Sequence, residues 1–279
     1  MEDNRRAAAL PPIRRARGFR LYDTRGRRYL DLWRDGGGAL LGHRAGRVTT
    51  LMKSVLSQGL AAGLPSVWEG RLLKMIRGMF PSFPVVRLFS SRRRALDAAS
   101  LFLGIRVEAA DVYDPGLGPC PAGARAALWR PFLAEQDGPE NRAASWDVRL
   151  PVLPFAVSGA PAPVCFCAEP QAGLPDSDHL PGFLLAGAAR ALADLSAGPE
   201  CLRNVRVEKA IDASSAWKRT GPYVRAAFDR AEYPRVFSAF LTEGVLLSPG
   251  YPGPSIIPGD CSPGETRLLA ELFAGVPGG

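Results

Sequence analysis

The sequence predicts an α/β fold with a smaller α+β part built from both ends of the chain. Short apolar stretches of strand length alternate with stretches whose apolar residues recur at helical spacing. The 279 residues are enough to bury a sizeable core, as one large domain or two smaller ones. We expect an N-terminal hairpin segment over 1–50, a reduced α/β large domain over 51–235, and a C-terminal segment over 236–279 that completes the small part.

The elements follow from local patterns, taken in chain order. Residues 18–33 alternate in hydrophobicity around a turn in which Gly26 can take a positive φ, which predicts a β-hairpin. Helical spacing then predicts two helices, the second ending before Pro81. Near the C-terminus, Pro263 and Glu265 suit the first turn of a closing helix.

The remaining helices and strands are assigned from helical spacing and from short apolar runs. Residues 111–145 carry only weak signals of either kind. Predicted helices cover 48–60, 67–79, 95–103, 182–195, 222–231 and 263–273. Predicted strands cover 83–89, 148–155, 164–168, 205–209, 244–247 and 255–257.

The composition excludes several classes of protein. The net charge is +8, but arginine greatly outnumbers lysine and the basic residues are mostly dispersed, without interleaved aromatic residues, so we expect no nucleic-acid partner. No apolar run is long enough to span a bilayer, and the Arg-rich N-terminus lacks the apolar centre of a secretory signal. We therefore expect no membrane partner and a cytoplasmic location.

The cysteines and histidines indicate no metal site. Cys165 and Cys167 would face one side of a strand, and neither a second cysteine pair nor a nearby histidine completes a four-ligand zinc set. Five cysteines in a chain of this length form no disulfide framework. His43 and His179 are the only histidines, which leaves little for a histidine-based mechanism.

An arginine cluster interrupts the most informative stretch, VRLFSSRRRALDAA at 86–99. A strand, a tight turn and a helix start bind phosphate when the turn is rich in small residues, because free backbone N–H groups and the helix dipole then point at the anion. Arg92, Arg93 and Arg94 stand there instead. Cations at a helix start are unfavourable by about 0.3–1 kcal/mol each. The cluster therefore either binds an anionic ligand or extends into solvent as surface charge.

Several motifs together resemble the class III pyridoxal-phosphate aminotransferases, including the glutamate-semialdehyde aminomutase branch. Members typically carry a hairpin of the form hLYDxxGxxYhDhW, a Gly-rich stretch, GH, and a phosphate turn FxxSGTEA. The matching residues here are Gly18, Leu21-Tyr22-Asp23, Gly26, Tyr29-Leu30-Asp31-Leu32-Trp33, Gly36-Gly37-Gly38, Gly42-His43, Phe89-Ser90-Ser91 and Ala95. The resemblance covers about residues 10–105 well and 236–273 moderately.

The resemblance implies the fold of the fold-type-I pyridoxal-phosphate-dependent transferases, here with a truncated large domain, and a homodimer. It places the cofactor phosphate at the turn, where Arg92–Arg94 replace Gly-Thr-Glu. The candidate cofactor- or anion-binding residues are therefore Ser90, Ser91, Arg92, Arg93 and Arg94.

The middle of the chain departs from the family. The Asp-Glu pair that contacts the pyridine nitrogen and the lysine that forms the Schiff base are not legible, and the chain is shorter than typical members. Lys209 and Lys218 lie nearest the right part of the sequence, but their contexts, RVEKAI and AWKRTG, do not match. Asp176 and Asp178 are the candidates for the missing ring partner, although a DSDH segment is more often a polar loop.

Three functional hypotheses follow from these departures. The first is a non-catalytic relative with an interaction or regulatory role and no cofactor. The second is an active transaminase or aminomutase that uses pyridoxal 5'-phosphate with displaced catalytic residues. The third is a protein that binds a small anionic metabolite through the arginines.

Overall fold

The computed structural model describes residues 10–43, 45–133, 146–169, 173–195 and 202–276. They form two compact units. The terminal unit contains Met1–Arg44, Gly116–Gly118 and Gly198–Gly279, and the central unit contains Ala45–Pro115 and Pro119–Ala197. The domain boundaries at 50 and 235 stay a prediction from the sequence.

Strands and helices alternate along the described residues. The strands are β1 (Ile13–Arg17), β2 (Arg20–Asp23), β3 (Arg28–Asp31), β4 (Val85–Phe89), β5 (Ala126–Trp129), β6 (Val148–Pro151), β7 (Ala162–Phe166), β8 (Trp217–Thr220), β9 (Tyr223–Ala226), β10 (Val245–Leu246) and β11 (Ser255–Ile256). The helices are α1 (Gly46–Ser57), α2 (Val67–Met79), α3 (Arg92–Leu103), α4 (Gly182–Leu195), α5 (Val205–Asp212), α6 (Tyr233–Thr242) and α7 (Pro263–Ala274). Among the described residues, no helix has the length and apolar character that crossing a bilayer requires.

The terminal unit is built around two small sheets, in the orders β1-β2-β3-β10 and β11-β9-β8. The predicted N-terminal hairpin is confirmed: β2 and β3 are antiparallel, and Gly26 in their turn has a φ of 83°. Strand β10 then pairs in parallel with β3, with Val245 opposite Leu30. Both ends of the chain therefore contribute to one sheet.

The central unit contains a four-stranded sheet in the order β4-β7-β6-β5. β7 is antiparallel to both of its neighbours, and β5 is parallel to β6, so β4, β5 and β6 all run in one direction. Buried apolar residues of this sheet and of α3 form a common core, in which Phe89, Val148 and Phe166 have no exposed surface. The carboxyl ends of β4, β5 and β6 consequently lie at the same edge of the sheet.

Two predicted elements are wrong, and four observed elements were not predicted: β1, β5, β8 and α6. Residues 205–209 were expected to form a strand because apolar and polar residues alternate, but they begin α5. The side chain of Asn204 accepts a hydrogen bond from the backbone N–H of Val207 and caps the helix, and Val207 and Ile211 are buried one helical turn apart. The alternation predicted a strand in which Val205 and Val207 share one buried face. Val205 is exposed and only Val207 is buried, so the alternation did not reflect a buried face.

The predicted helix over 222–231 contains a strand instead. Gly221, with a φ of 56°, turns the chain, and Thr220 pairs with Tyr223 across a short antiparallel hairpin. Tyr223 and Val224 are buried, and aromatic and β-branched residues of this kind favour strands.

Strand β5 lies inside the region of weak signals at 111–145, part of which lies outside the described residues.

Candidate functional site

The candidate site is the turn between β4 and α3, where the sequence placed the phosphate-like junction. Phe89 ends β4, and the hydroxyl of Ser91 caps α3 by accepting a hydrogen bond from the backbone N–H of Arg94 at 3.3 Å. The helix was expected from Ala95, but it begins at Arg92. The three arginines therefore form its first turn, at the positive end of the helix dipole.

A carboxylate from a distant part of the chain occupies this turn. Oδ2 of Asp178 accepts hydrogen bonds from the backbone N–H of Ser90 at 2.8 Å and from its hydroxyl at 2.7 Å. The same carboxylate forms a two-pronged ion pair with Arg94, with Nε at 2.8 Å and a terminal nitrogen at 2.5 Å. Asp178 thus makes the contacts with backbone and cation that an external anion would make at such a turn.

The segment that carries Asp178 runs beside β4. The hydroxyl of Ser177 accepts a hydrogen bond from the backbone N–H of Leu88 at 3.0 Å, and the N–H of Asp178 donates to the carbonyl of Leu88 at 2.8 Å. Asp176 lies 3.4 Å from Arg87 but is almost fully exposed. The two aspartates proposed as ring partners therefore face arginines of β4 and of the turn.

The ionisation of Asp178 is set by these contacts. Partial burial acts to raise the pKa of Asp178, but the hydrogen bonds from Arg94 and Ser90 outweigh it and hold the pKa below its usual value. The same hydrogen bond raises the pKa of Arg94. The pair is therefore ionised at neutral pH and neutralises one of the three cations at the helix start.

The other two arginines have different surroundings. Desolvation lowers the pKa of Arg92, and the nearby cation of Arg130 lowers it further, while Asp114 acts in the opposite direction. Arg130 follows β5 at the same sheet edge and forms a nearly buried two-pronged ion pair with Asp114, at 2.5 and 2.6 Å. Arg93 is exposed. This part of the turn keeps an excess of positive charge.

The lysines do not approach the environment of a Schiff-base residue. All four lysines of the chain lie among the described residues, and all four side chains are exposed. Lys53 is on α1 and Lys74 on α2, whereas Lys209 on α5 and Lys218 on β8 belong to the terminal unit. A Schiff-base lysine is normally activated by desolvation or by a neighbouring cation, which an exposed side chain lacks.

The described cysteines do not cluster with other metal-ligating side chains. Cys165 is fully buried, and this burial raises the pKa of its thiol to about 12, which opposes the thiolate that a metal requires. Within the described part of the chain, no three histidine, cysteine, aspartate or glutamate side chains come together as metal ligands.

Sequence reasoning found the turn but missed its partner. Asp178 was considered for the ring nitrogen, and its contact with a residue 88 positions away leaves no local signal. The pairing of Arg130 with Asp114 was also missed, because both residues lie in the stretch 111–145, where no clear helix or strand pattern is present.

The fold is that of the pyridoxal-phosphate-dependent aminotransferases of fold type I. A glutamate-1-semialdehyde aminomutase from Pseudomonas aeruginosa PAO1 superposes with a TM-score of 0.69 over 94% of this chain and 86% of its own, at 14% identity. An omega-transaminase from Sphaerobacter thermophilus superposes with a TM-score of 0.65 over 97% of this chain and 95% of its own, also at 14% identity.

Sequence comparison gives two groups of relatives. An uncharacterized protein of Treponema pallidum (strain Nichols) is 31% identical over 272 residues, covering 88% of both chains. A glutamate-1-semialdehyde 2,1-aminomutase of Heliobacterium modesticaldum (strain ATCC 51547 / Ice1) is 34% identical over only 87 residues, which are 31% of this chain and 20% of the aminomutase. No family model matches the chain.

The protein therefore belongs to the same family as the Treponema pallidum protein. Part of its sequence is also similar to a glutamate-1-semialdehyde aminomutase, and its fold is that of the class III aminotransferases. The resemblance identified from the motifs is confirmed.

Proposed function

We propose that this chain keeps the aminotransferase fold but has lost pyridoxal-phosphate catalysis, and that it acts through a non-catalytic interaction or regulatory role. The observation that carries the proposal is the exposure of every lysine of the chain. To use the cofactor, the chain would need a lysine to hold it and a carboxylate facing its ring nitrogen, so that the ring could accept electrons from the substrate.

The residues at the turn fit the cofactor phosphate poorly. In this chain Asp178 holds the backbone N–H of Ser90 and the side chain of Arg94. A phosphate placed there would meet a carboxylate whose pKa is lowered, so two anions would compete for the same donors. Asp178 cannot serve both the turn and a ring nitrogen, which removes one of the two candidates for the missing aspartate.

The similarity to the Treponema pallidum protein over 88% of both chains also favours a non-catalytic role. A relative that aligns over nearly its whole length has a similar length itself. The two chains therefore have similar lengths, and a chain of this length can be retained for something other than the ancestral reaction.

The two alternative functions, an active enzyme and an anionic-metabolite binding protein, would depend on different residues. An active transaminase or aminomutase would require Lys209 or Lys218 to form the imine, although both are exposed in the terminal unit. An anionic-metabolite binding protein would have to use Arg92 and Arg93, because Arg94 is already paired.

Reduction with borohydride in the presence of pyridoxal 5'-phosphate, followed by peptide mass mapping, tests the proposal. We expect no lysine to carry a pyridoxyl group near one-to-one occupancy, and no absorption band of a protein-bound imine before reduction. A single stoichiometric adduct on Lys209 or Lys218 that disappears in the corresponding Lys→Ala variant would contradict the loss of catalysis. Scattered substoichiometric labelling of all four lysines is expected from their exposure.

A further inference from the structure

We propose that residues 176–179 form an intrachain strap that closes the anion position at the start of α3, with Asp178 as the internal anion. The strap rests on the proposed function in one respect, since it assumes that the turn holds no cofactor. It goes further by stating what replaced the cofactor phosphate.

The contacts of Asp178 carry the inference. Its carboxylate accepts hydrogen bonds from the backbone N–H and the hydroxyl of Ser90, and from Nε and one terminal nitrogen of the Arg94 guanidinium. Only 15% of the Asp178 side chain remains exposed. A carboxylate with two oxygens and four donated hydrogen bonds has little capacity left for a second partner.

The strap is fixed along its length as well as at its tip. The hydroxyl of Ser177 accepts a hydrogen bond from the N–H of Leu88 in β4, and the N–H of Asp178 donates to the carbonyl of Leu88. On the other side, a side chain at Gly63 would collide with the backbone carbonyl of His179, so the loop between α1 and α2 lies directly against the strap. The N–H of Phe183 at the start of α4 also donates to the carbonyl of Leu60 in that loop. The position of Asp178 is therefore enforced from two sides.

Charge explains why an acidic residue is needed at this place. Three arginines in the first turn of α3 add to the positive end of the helix dipole, and no acidic residue lies within that turn. Asp178 supplies the missing negative charge from the strap. Removing it exposes two hydrogen-bond donors of Ser90 and one of the guanidinium groups to solvent anions.

Titration with inorganic phosphate at constant ionic strength tests the strap, with binding followed by calorimetry and by thermal shift. We expect wild type to show no phosphate-dependent stabilisation beyond that given by chloride. We expect Asp178→Ala to bind phosphate with a dissociation constant lower by about tenfold or more, because a charge-assisted two-pronged contact becomes available. Adding Arg94→Ser to that variant should abolish the gain.

Two further variants keep the test decisive. Asp176→Ala removes an exposed negative charge from the same strap without touching the turn, and it should behave as wild type. Asp178→Asn keeps the size of the side chain and decides the matter if Asp178→Ala does not fold. The proposal is overturned if wild type binds phosphate as tightly as the Asp178 variants, or if a folded Asp178→Asn shows no gain. Neither outcome depends on a lysine adduct, so failure here is distinct from failure of the proposed loss of catalysis.

Discussion

Two arginine–carboxylate pairs differ in what they contribute to the molecule. Arg94 is half exposed, so its pair with Asp178 adds little to the stability of the fold and acts mainly on the local charge of the turn. Arg20 and Glu265 are 17% and 6% exposed, and two hydrogen bonds of 2.9 and 2.7 Å join them. Glu265 also completes a capping box with Ser262 at the start of α7. The second pair therefore links β2 to α7 and contributes to stability.

The stability of the protein should depend on pH through Glu265. Hydrogen bonding to Arg20 is the main cause that lowers its pKa to about 2. Because the folded-state pKa lies below the unfolded value of about 4.3, the stabilisation is complete above that value and is lost as the pH falls toward 2. Between pH 5 and 2 the free energy of unfolding should fall by about 2–3 kcal/mol more in wild type than in Glu265→Gln.

Urea unfolding across this pH range measures the difference. Glu271→Gln removes an exposed carboxylate from the same helix and should retain the pH dependence of wild type. If Glu265→Gln loses stability with acid as steeply as wild type does, the ion pair is not the cause.

Among the elements, helices α1 and α4 approach closely because α4 presents small residues to its surroundings. Its buried positions include Gly182, Gly187 and several alanines. A Cβ atom at Gly187 would lie 2.7 Å from the ring of Phe155 and 2.8 Å from the side chain of Met52. The glycine is therefore required by packing and not by backbone conformation.

The same substitution should have opposite effects at two helical glycines. Gly187→Ala should lower the free energy of unfolding by about 1–3 kcal/mol, because it overpacks the contact with Phe155, which is only 4% exposed. Gly70→Ala on α2 should raise it by about 0.5–1 kcal/mol, since nothing lies within 4 Å of the added methyl and alanine favours the helix. Chemical denaturation of both variants checks the signs; equal effects would contradict the packing argument.

Helices and strands were predictable where the apolar pattern was long or where a proline marked its end. The helices over 67–79 and 182–195 were predicted at their observed bounds, and Pro81 and the continuous apolar character of α4 explain why. The errors fell on short stretches such as 205–209, where a distant packing surface decides between helix and strand. For the candidate site, the turn was visible locally, whereas the contact of Asp178 with Ser90 depends on the tertiary fold.

At the scale of the whole molecule, both ends of the chain are joined in one sheet. The N–H of Leu32 donates to the carbonyl of Leu246 at 2.8 Å, and its own carbonyl accepts from Ile256 at 2.7 Å. Nearby, Oδ2 of Asp31 lies 2.6 Å from Nε2 of His43, which ties the hairpin to the segment that follows it. The hairpin motif that indicated the family is therefore also the segment that joins the N-terminal and C-terminal parts of the chain.

Leu32 should be essential for this junction. Its side chain is fully buried, so Leu32→Ala should lower the free energy of unfolding by about 2–5 kcal/mol through lost burial and the cavity left behind. Ile13→Ala, on β1 of the same sheet, changes a side chain that is 38% exposed and should have an effect within about 0.5 kcal/mol. Comparable losses in the two variants, measured by urea unfolding, would show that the junction is not docked through Leu32.

The pairing of β3 with β10 sets the order in which the newly made chain can fold. The hairpin is synthesised before the central unit, whereas β10, the strand that pairs with its edge, is synthesised after it. The central unit, residues 45–115 and 119–197, can meanwhile form its own core, since domains generally fold as units during synthesis. Until β10 arrives, β3 presents unpaired backbone groups, the condition under which strand edges join neighbouring chains. Closing of the terminal unit is therefore the late step of biogenesis and the step most open to aggregation.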